Sequence, residues 1–153
     1  MVFRGITNIS LDDKGRIGIP SRYRDIVRGL CEGNVVLTID PHQPCLQMFP
    51  LPDWEKLQEK LLNLPPLQPG NRRLQRLLLG HASDQKMDGN GRVSVAPILR
   101  DYAKIEKGVT LLGQGRWFEL WSDSVWEAQC TRWIEEERAS DEGMSEALQA
   151  FTY

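Results

Sequence analysis

The segment LDDKGRIGIP, residues 11–20, returns seventy-six residues later as MDGNGRVSVA, residues 87–96. Each copy sets a carboxylate four residues ahead of a guanidinium: Asp12 and Arg16, then Asp88 and Arg92, with Gly15 and Gly91 immediately before the arginines. Short Asp side chains at the start of a turn accept hydrogen bonds from backbone N–H groups ahead of them, and Gly supplies the positive φ such turns need. Asp12, Gly15, Asp88 and Gly91 are therefore expected to be turn-structural. The arginines at the mouths of these turns have a second use. A narrow loop bearing Lys14, Gly15 and Arg16 can approach a phosphate chain closely, and a guanidinium can donate to guanine O6 and N7. Asn90 stands where the first copy has Lys14, so the first loop is expected to be the stronger contact.

Catalytic alternatives fit poorly. Asp12 and Asp13 lie in a turn with no evident pocket for acid–base work. The chain has no phosphate-binding glycine loop followed by Lys-Ser/Thr, no GxSxG and no HExxH. His81 stands near Ser83 and Asp84, yet nearness in sequence is not triad geometry. No enzyme, cofactor or small-molecule substrate is expected. Three cysteines, Cys31, Cys45 and Cys130, lack CxxC spacing, so neither a disulfide framework nor a metal site is expected. His42 and Cys45 could offer a metal two ligands, but the usual fate of such a cysteine is burial as a small hydrophobe. Trp54 and Trp126 occupy matching positions in the repeat and read as core or interface anchors rather than base-stacking platforms.

The formal net charge is −2, but the charges are sorted along the chain. Residues 1–28 carry six cations against three acids, residues 71–104 seven against three, and residues 119–153 two against nine. A ligand feels the field within about a Debye length, ~8–10 Å, so the two basic segments matter more than the total. Both contain a copy of the repeated turn. With 41% hydrophobic and 26% charged residues the composition is that of a globular domain, and no apolar run approaches the ~20 residues that span a bilayer. The opening MVFRGITNIS lacks signal-peptide features, and the expectation is a cytoplasmic protein without a membrane partner.

Each copy of the turn has the chemistry of a hairpin loop and predicts a hairpin of two flanking strands: residues 6–11 and 16–19 in the first half, 82–87 and 92–95 in the second. The order strand, turn, strand, short helix, strand (34–40, then 109–113) repeats. Arg24 and Asp25 answer Arg100 and Asp101, and Trp54-Glu55 answers Trp126-Glu127. Helices are predicted over 53–64 with Asp53 as cap, from Asn71 after a Pro/Gly connection, and from about Ser124. Two copies are too few for a solenoid, so they are expected to form halves related by a pseudo-twofold, each covering the other's apolar face.

The segments MVFRGITNISLDDKGRIGIPSRYR, NRRLQRLLLGHASDQKMDGNGRVSVAPILR and LLGQGRWFELW resemble the MraZ family of bacterial transcriptional regulators nearly end to end. The family's two Asp-x-x-x-Arg motifs fall on Asp12/Arg16 and Asp88/Arg92, and LQRLLLGHAS precedes the second. Val2 is an extra residue ahead of the family's usual Met-Phe-Arg-Gly start, which displaces Phe3 and Arg4 by one. The resemblance implies an α+β fold of two AbrB-like swapped-hairpin (split β-barrel) repeats in pseudo-twofold arrangement with flanking helices. It divides the chain into a first SpoVT/AbrB-like domain at 5–52, a helical connection at 53–80, a second such domain at 81–124 and an acidic C-terminal helix and tail at 125–153. It implies a nucleoid-associated repressor that forms a closed homo-oligomeric ring on double-stranded DNA. The DNA target would be direct repeats upstream of its own operon in the division and cell-wall cluster. Arg4, Lys14, Arg16 and Arg92 are the expected DNA-binding residues, Arg92 having an equal reading as a group that holds its own turn or a subunit interface. The competing class is an antitoxin-type interaction module whose turns are structural.

Overall fold

The computed structural model describes residues 2–139 and 146–151. The chain forms two compact units, Met1–Asp123 and Ser124–Tyr153. In the first, the strands are β1 (Phe3–Ser10), β2 (Arg16–Gly18), β3 (Asn34–Ile39), β4 (Leu46–Pro50), β5 (Ser83–Lys86), β6 (Arg92–Ser94), β7 (Gly108–Gly115) and β8 (Phe118–Ser122). Helices α1 (Ser21–Cys31), α2 (Leu51–Leu62), α3 (Pro69–Gly80) and α4 (Pro97–Ala103) complete it. Helix α5 (Asp123–Ala139) begins at the last residue of this unit, and α6 (Glu146–Gln149) belongs to the second. No helix among the described residues is long and apolar enough to cross a membrane.

Six strands form one antiparallel sheet in the order β1-β7-β8-β4-β3-β5, and β2 pairs with β6 alone. Exchanging each strand for its counterpart in the other half (β1 with β5, β3 with β7, β4 with β8) reverses that order and leaves the sheet unchanged. The registers obey the same exchange. Ile17 faces Val93 at the centre of β2/β6, and Gln47 faces Glu119 at the centre of β4/β8. The pseudo-twofold therefore runs between these pairs, and the fold is the α+β pair of swapped AbrB-like repeats.

The swap corrects one local expectation. The strands flanking each turn do not form a hairpin with one another: β1 lies along β7 and β2 along β6, both from the other half. Within the first copy only the Leu11–Ile17 bridge and the Asp12 N–H to Arg16 carbonyl bond of 2.8 Å remain. A three-residue strand cannot stabilise a hairpin by itself, and pairing across the pseudo-axis lets Ile17 and Val93, 0% and 1% exposed, join one core. That core is continuous through both halves and includes Ile19, Val27, Leu37, Leu46, Leu99, Val109 and Leu120. Its strands carry the signature of burial: β3 exposes none of Val35, Val36, Leu37 or Ile39.

The helix starts also differ from expectation. The cap of α2 is Pro50 and that of α3 is Gln68, not Asp53 and Asn71. Proline in the first turn accounts for both shifts, since Pro52 and Pro69 lack an N–H that would otherwise be orphaned there. Asn71 instead donates from its side chain to the Pro65 carbonyl at 3.0 Å.

Candidate nucleic-acid interface

The two turns are the same object built twice. Oδ1 of Asp12 accepts from the backbone N–H groups of Lys14 and Arg16, each at 2.9 Å, while Oδ2 accepts from Nε of Arg16 at 2.9 Å. Oδ1 of Asp88 accepts from the N–H groups of Asn90 and Arg92 at 2.9 Å, and Oδ2 from Nε of Arg92 at 3.0 Å. Gly15 and Gly91 close the turns at φ +74° and +77°, and each donates to the carbonyl of its aspartate at 3.0 Å. A side chain there would be strained by the backbone alone.

Strand alternation decides where the arginines point. Ile17 and Val93 face the core, so Arg16, Gly18, Arg92 and Ser94 share the outer face of the β2/β6 ribbon. Arg16 is opposite Ser94 and Arg92 opposite Gly18, a diagonal of about 8 Å. Nothing lies within 4 Å of where a Gly18 side chain would begin, so the surface between the two guanidinium groups is open. Among the described residues neither arginine makes a side-chain hydrogen bond beyond the one from Nε, which leaves the Nη edges available. The carboxylates fix the guanidinium planes and so remove rotamer freedom before any ligand arrives.

Lys14 is exposed at the tip of the first loop beside Arg16. Arg4 is not brought to this face. It sits near the start of β1, eight residues ahead of Asp12, roughly 26 Å along an extended strand at ~3.3 Å per residue. There its carbonyl accepts the Tyr23 hydroxyl.

Three further arginines hold the loops. Arg24 of α1 lies against Gly91, where a methyl group would come within 2.2 Å of its Nε, and Arg100 of α4 lies 3.2 Å from the same point on Gly15. The backbone repeats this exchange: Ile19 donates to the Gly91 carbonyl and Val95 to the Gly15 carbonyl, both at 2.8 Å. Arg28 reaches the carbonyls of Asp88 and Gly89, each at 3.3 Å. Each turn is therefore braced by the other half. The Arg24/Arg100 match was visible in sequence, but its packing role was not.

Hydrogen bonds to the ionised form, foremost from the Arg16 backbone N–H, hold the Asp12 carboxyl below its ordinary 3.8. The Arg92 backbone N–H does the same for Asp88. A depressed folded pKa contributes stability that is complete above the unfolded value and lost as pH falls through the folded one. The stability gap between wild type and Asp12→Asn or Asp88→Asn is therefore expected to stay constant down to about pH 5 and to close below pH 3.8. Urea unfolding across that range measures it. A gap independent of pH would mean the carboxylate charge is not what the turn uses.

Other titratable groups form no comparable device. Among the described residues, the donor atoms of Asp40, Cys45 and Glu119, which lie within 4.8 Å of one another, are the set that could hold a metal. Burial, then the charges of Glu119 and Asp40, drive the Cys45 thiol far above its usual range. The thiol donates to Asp40 Oδ2 at 3.8 Å. His42 falls outside the group and supplies a backbone N–H to Asp40 at 2.8 Å. His81 Nδ1 contacts the Leu77 carbonyl at 2.7 Å, and Ser83 Oγ accepts from Gln85. Trp54 is buried at the foot of α2, donating to Gln58 at 3.2 Å, and Trp126 packs edge-on against Trp133 at 6.2 Å.

Comparison with known proteins agrees with the duplicated geometry. The family model described as "MraZ protein, putative antitoxin-like" matches the chain twice, over residues 2–77 and 78–147. A protein of Alkalilimnicola ehrlichii named Transcriptional regulator MraZ is 51% identical over 151 residues, covering 99% of each chain. Proteins of the same name from Halorhodospira halophila and Erwinia tasmaniensis are 51% and 48% identical, covering 92% and 97% of each chain. With both family repeats present and half the residues shared along its full length with such relatives, the chain belongs to the MraZ family.

Proposed function

We propose that this chain is a sequence-specific DNA-binding transcriptional regulator that reads DNA with the outer face of the β2/β6 ribbon. The observation that carries the reading is the pair of arginines on that face, each held by its own aspartate, with the open surface at Gly18 between them. The major groove, about 12 Å wide, admits a two-stranded β-ribbon, and an arginine whose Nε is engaged still offers both Nη groups to guanine. Arg16 is assigned a base or phosphate contact, Lys14 a phosphate, and Arg92 the matching contact from the second half. Arg4, remote from the ribbon, supplies supporting charge only.

The finer reading is repression at direct repeats upstream of the protein's own operon, in the division and cell-wall cluster, by a closed ring of subunits. A ring presents the same face many times. Linked sites gain ~10²–10⁴ in avidity when DNA repeats match their spacing, which supports tight binding by a chain of net charge −2.

A gel-shift titration on DNA from upstream of the gene, with scrambled DNA alongside and at two salt concentrations, tests the proposal. Wild type is expected to shift the native fragment selectively, with log K falling by ~0.9 per neutralised phosphate for each unit of log [salt]. Arg16→Ala is expected to lose ~1–3 kcal/mol. Wild-type affinity in folded Arg16→Ala protein would remove the ribbon as the reading surface. Equal binding of both DNAs by every variant would favour the interaction-module alternative.

A further inference from the structure

A pocket of about 660 Å³ opens on the face of the first unit where α2 crosses β4. It takes no part in the ribbon's geometry. Its volume lies within the ~300–1,000 Å³ range of small-molecule sites. Phe49, Leu57, Leu78 and Trp117 supply its apolar wall, and the Phe49 and Trp117 rings stand 5.6 Å apart, tilted by 35°. The Trp117 indole N–H is buried with no acceptor among the described residues.

The charges at the pocket are unequal in what they have left to give. Asp40 is occupied by the backbone N–H groups of His42 and Gln43 and by the Cys45 thiol. Asp53 faces Arg116 at 3.6 Å. Lys56 and Lys60, one turn apart on α2, are exposed at the rim, and among the described residues neither has an ion-pair partner. Lys56, Lys60 and Arg116 outnumber Asp40 and Asp53 by a single charge, and the two lysines are the cations left without an ion-pair partner among the described residues, so the rim on α2 is positive beside an aromatic wall.

We propose that this pocket binds a small aromatic anion, its ring system against Phe49 and Trp117 and its acidic group between Lys56 and Lys60. The site is independent of the DNA reading, and the DNA experiments neither support nor weaken it.

The probe is 8-anilinonaphthalene-1-sulfonate, a planar aromatic sulfonate, titrated by fluorescence and calorimetry against the full chain. N-phenyl-1-naphthylamine serves as its uncharged counterpart. Wild type is expected to bind one sulfonate per chain saturably. Lys56→Glu/Lys60→Glu, on an exposed helix face where folding is not at stake, is expected to weaken the sulfonate at least tenfold and leave the neutral dye within twofold. Leu57→Trp, which fills the pocket, is expected to abolish both. Non-saturable sulfonate binding by wild type, or sulfonate affinity unchanged by the charge reversal, would overturn the proposal. Equal weakening of both dyes by the charge reversal would overturn the assignment of the acidic group to the lysines.

Discussion

The Arg16→Ala/Arg92→Ala double variant is expected to bind the native DNA fragment about 30-fold to more than 10⁴-fold more weakly than wild type, the sum of two losses of ~1–3 kcal/mol. Additivity follows from the geometry. The two residues stand about 8 Å apart, and each bonds to a different aspartate, so removing one leaves the other's support intact. Neither variant should disturb folding, because Arg16 and Arg92 lie on the outer face and the core contacts of β2 and β6 come from Ile17 and Val93. Anisotropy titrations of wild type, both singles and the double at one salt concentration decide the matter, with circular dichroism as the folding control. Two comparable single losses that add would show that both halves read DNA. A double variant no weaker than Arg16→Ala would confine recognition to the first loop and leave Arg92 with its own turn. The exposed Lys14, answered by Asn90, predicts an unequal pair with the larger loss at Arg16.

How much of this was legible in the sequence divides by the range of the interaction. The turns are local: an aspartate, a glycine and an arginine within five residues specify the bonds that form, and nothing distant is needed to draw them. The pseudo-twofold is also legible, because a repeat of strand, turn, strand and helix needs some partner for its apolar face. Which strand pairs with which is not. Alternation tells a strand which face to bury and is silent on whether its neighbour is five residues or seventy-six residues away, so the exchange of β2 with β6 was legible only through the family resemblance, which implies swapped hairpins, and not from the residues themselves. Arg24 and Arg100 illustrate the same limit. Their matching positions were plain, but an arginine packed on the other half's glycine requires the two halves to be superimposed through the axis. The pocket was illegible for a related reason. Its lining draws on the turn after β3, on β4, α2 and α3, and on the Arg116–Trp117 turn, five segments with no shared motif. The shifted starts of α2 and α3 reflect a competition between two start signals, in which a first-turn proline outranked a polar cap.

Phe3→Ala is expected to destabilise the first unit by ~3–5 kcal/mol, lowering its thermal midpoint by roughly 10–20 °C. Strand β1 lies at the sheet edge, and apart from Phe3 none of its residues is fully buried. Phe3 is 2% exposed and enters a three-ring cluster, 4.3 Å from Phe118 and 5.6 Å edge-on from Tyr23. Removing it opens a cavity beneath the strand and deprives Tyr23 of the packing that aims its hydroxyl at the Arg4 carbonyl. The eight-residue ladder between β1 and β7 then has backbone hydrogen bonds but little apolar anchorage at its N-terminal end. Hydrogen exchange is therefore expected to quicken first along β1, and Phe3→Leu to recover part of the loss. Val2 supplies the control. It is 66% exposed, and Val2→Ala is expected to stay within about 0.5 kcal/mol of wild type. Midpoints for Phe3→Ala and Val2→Ala that fall together would place the anchor of β1 elsewhere, at Leu11 where the strand enters the first turn.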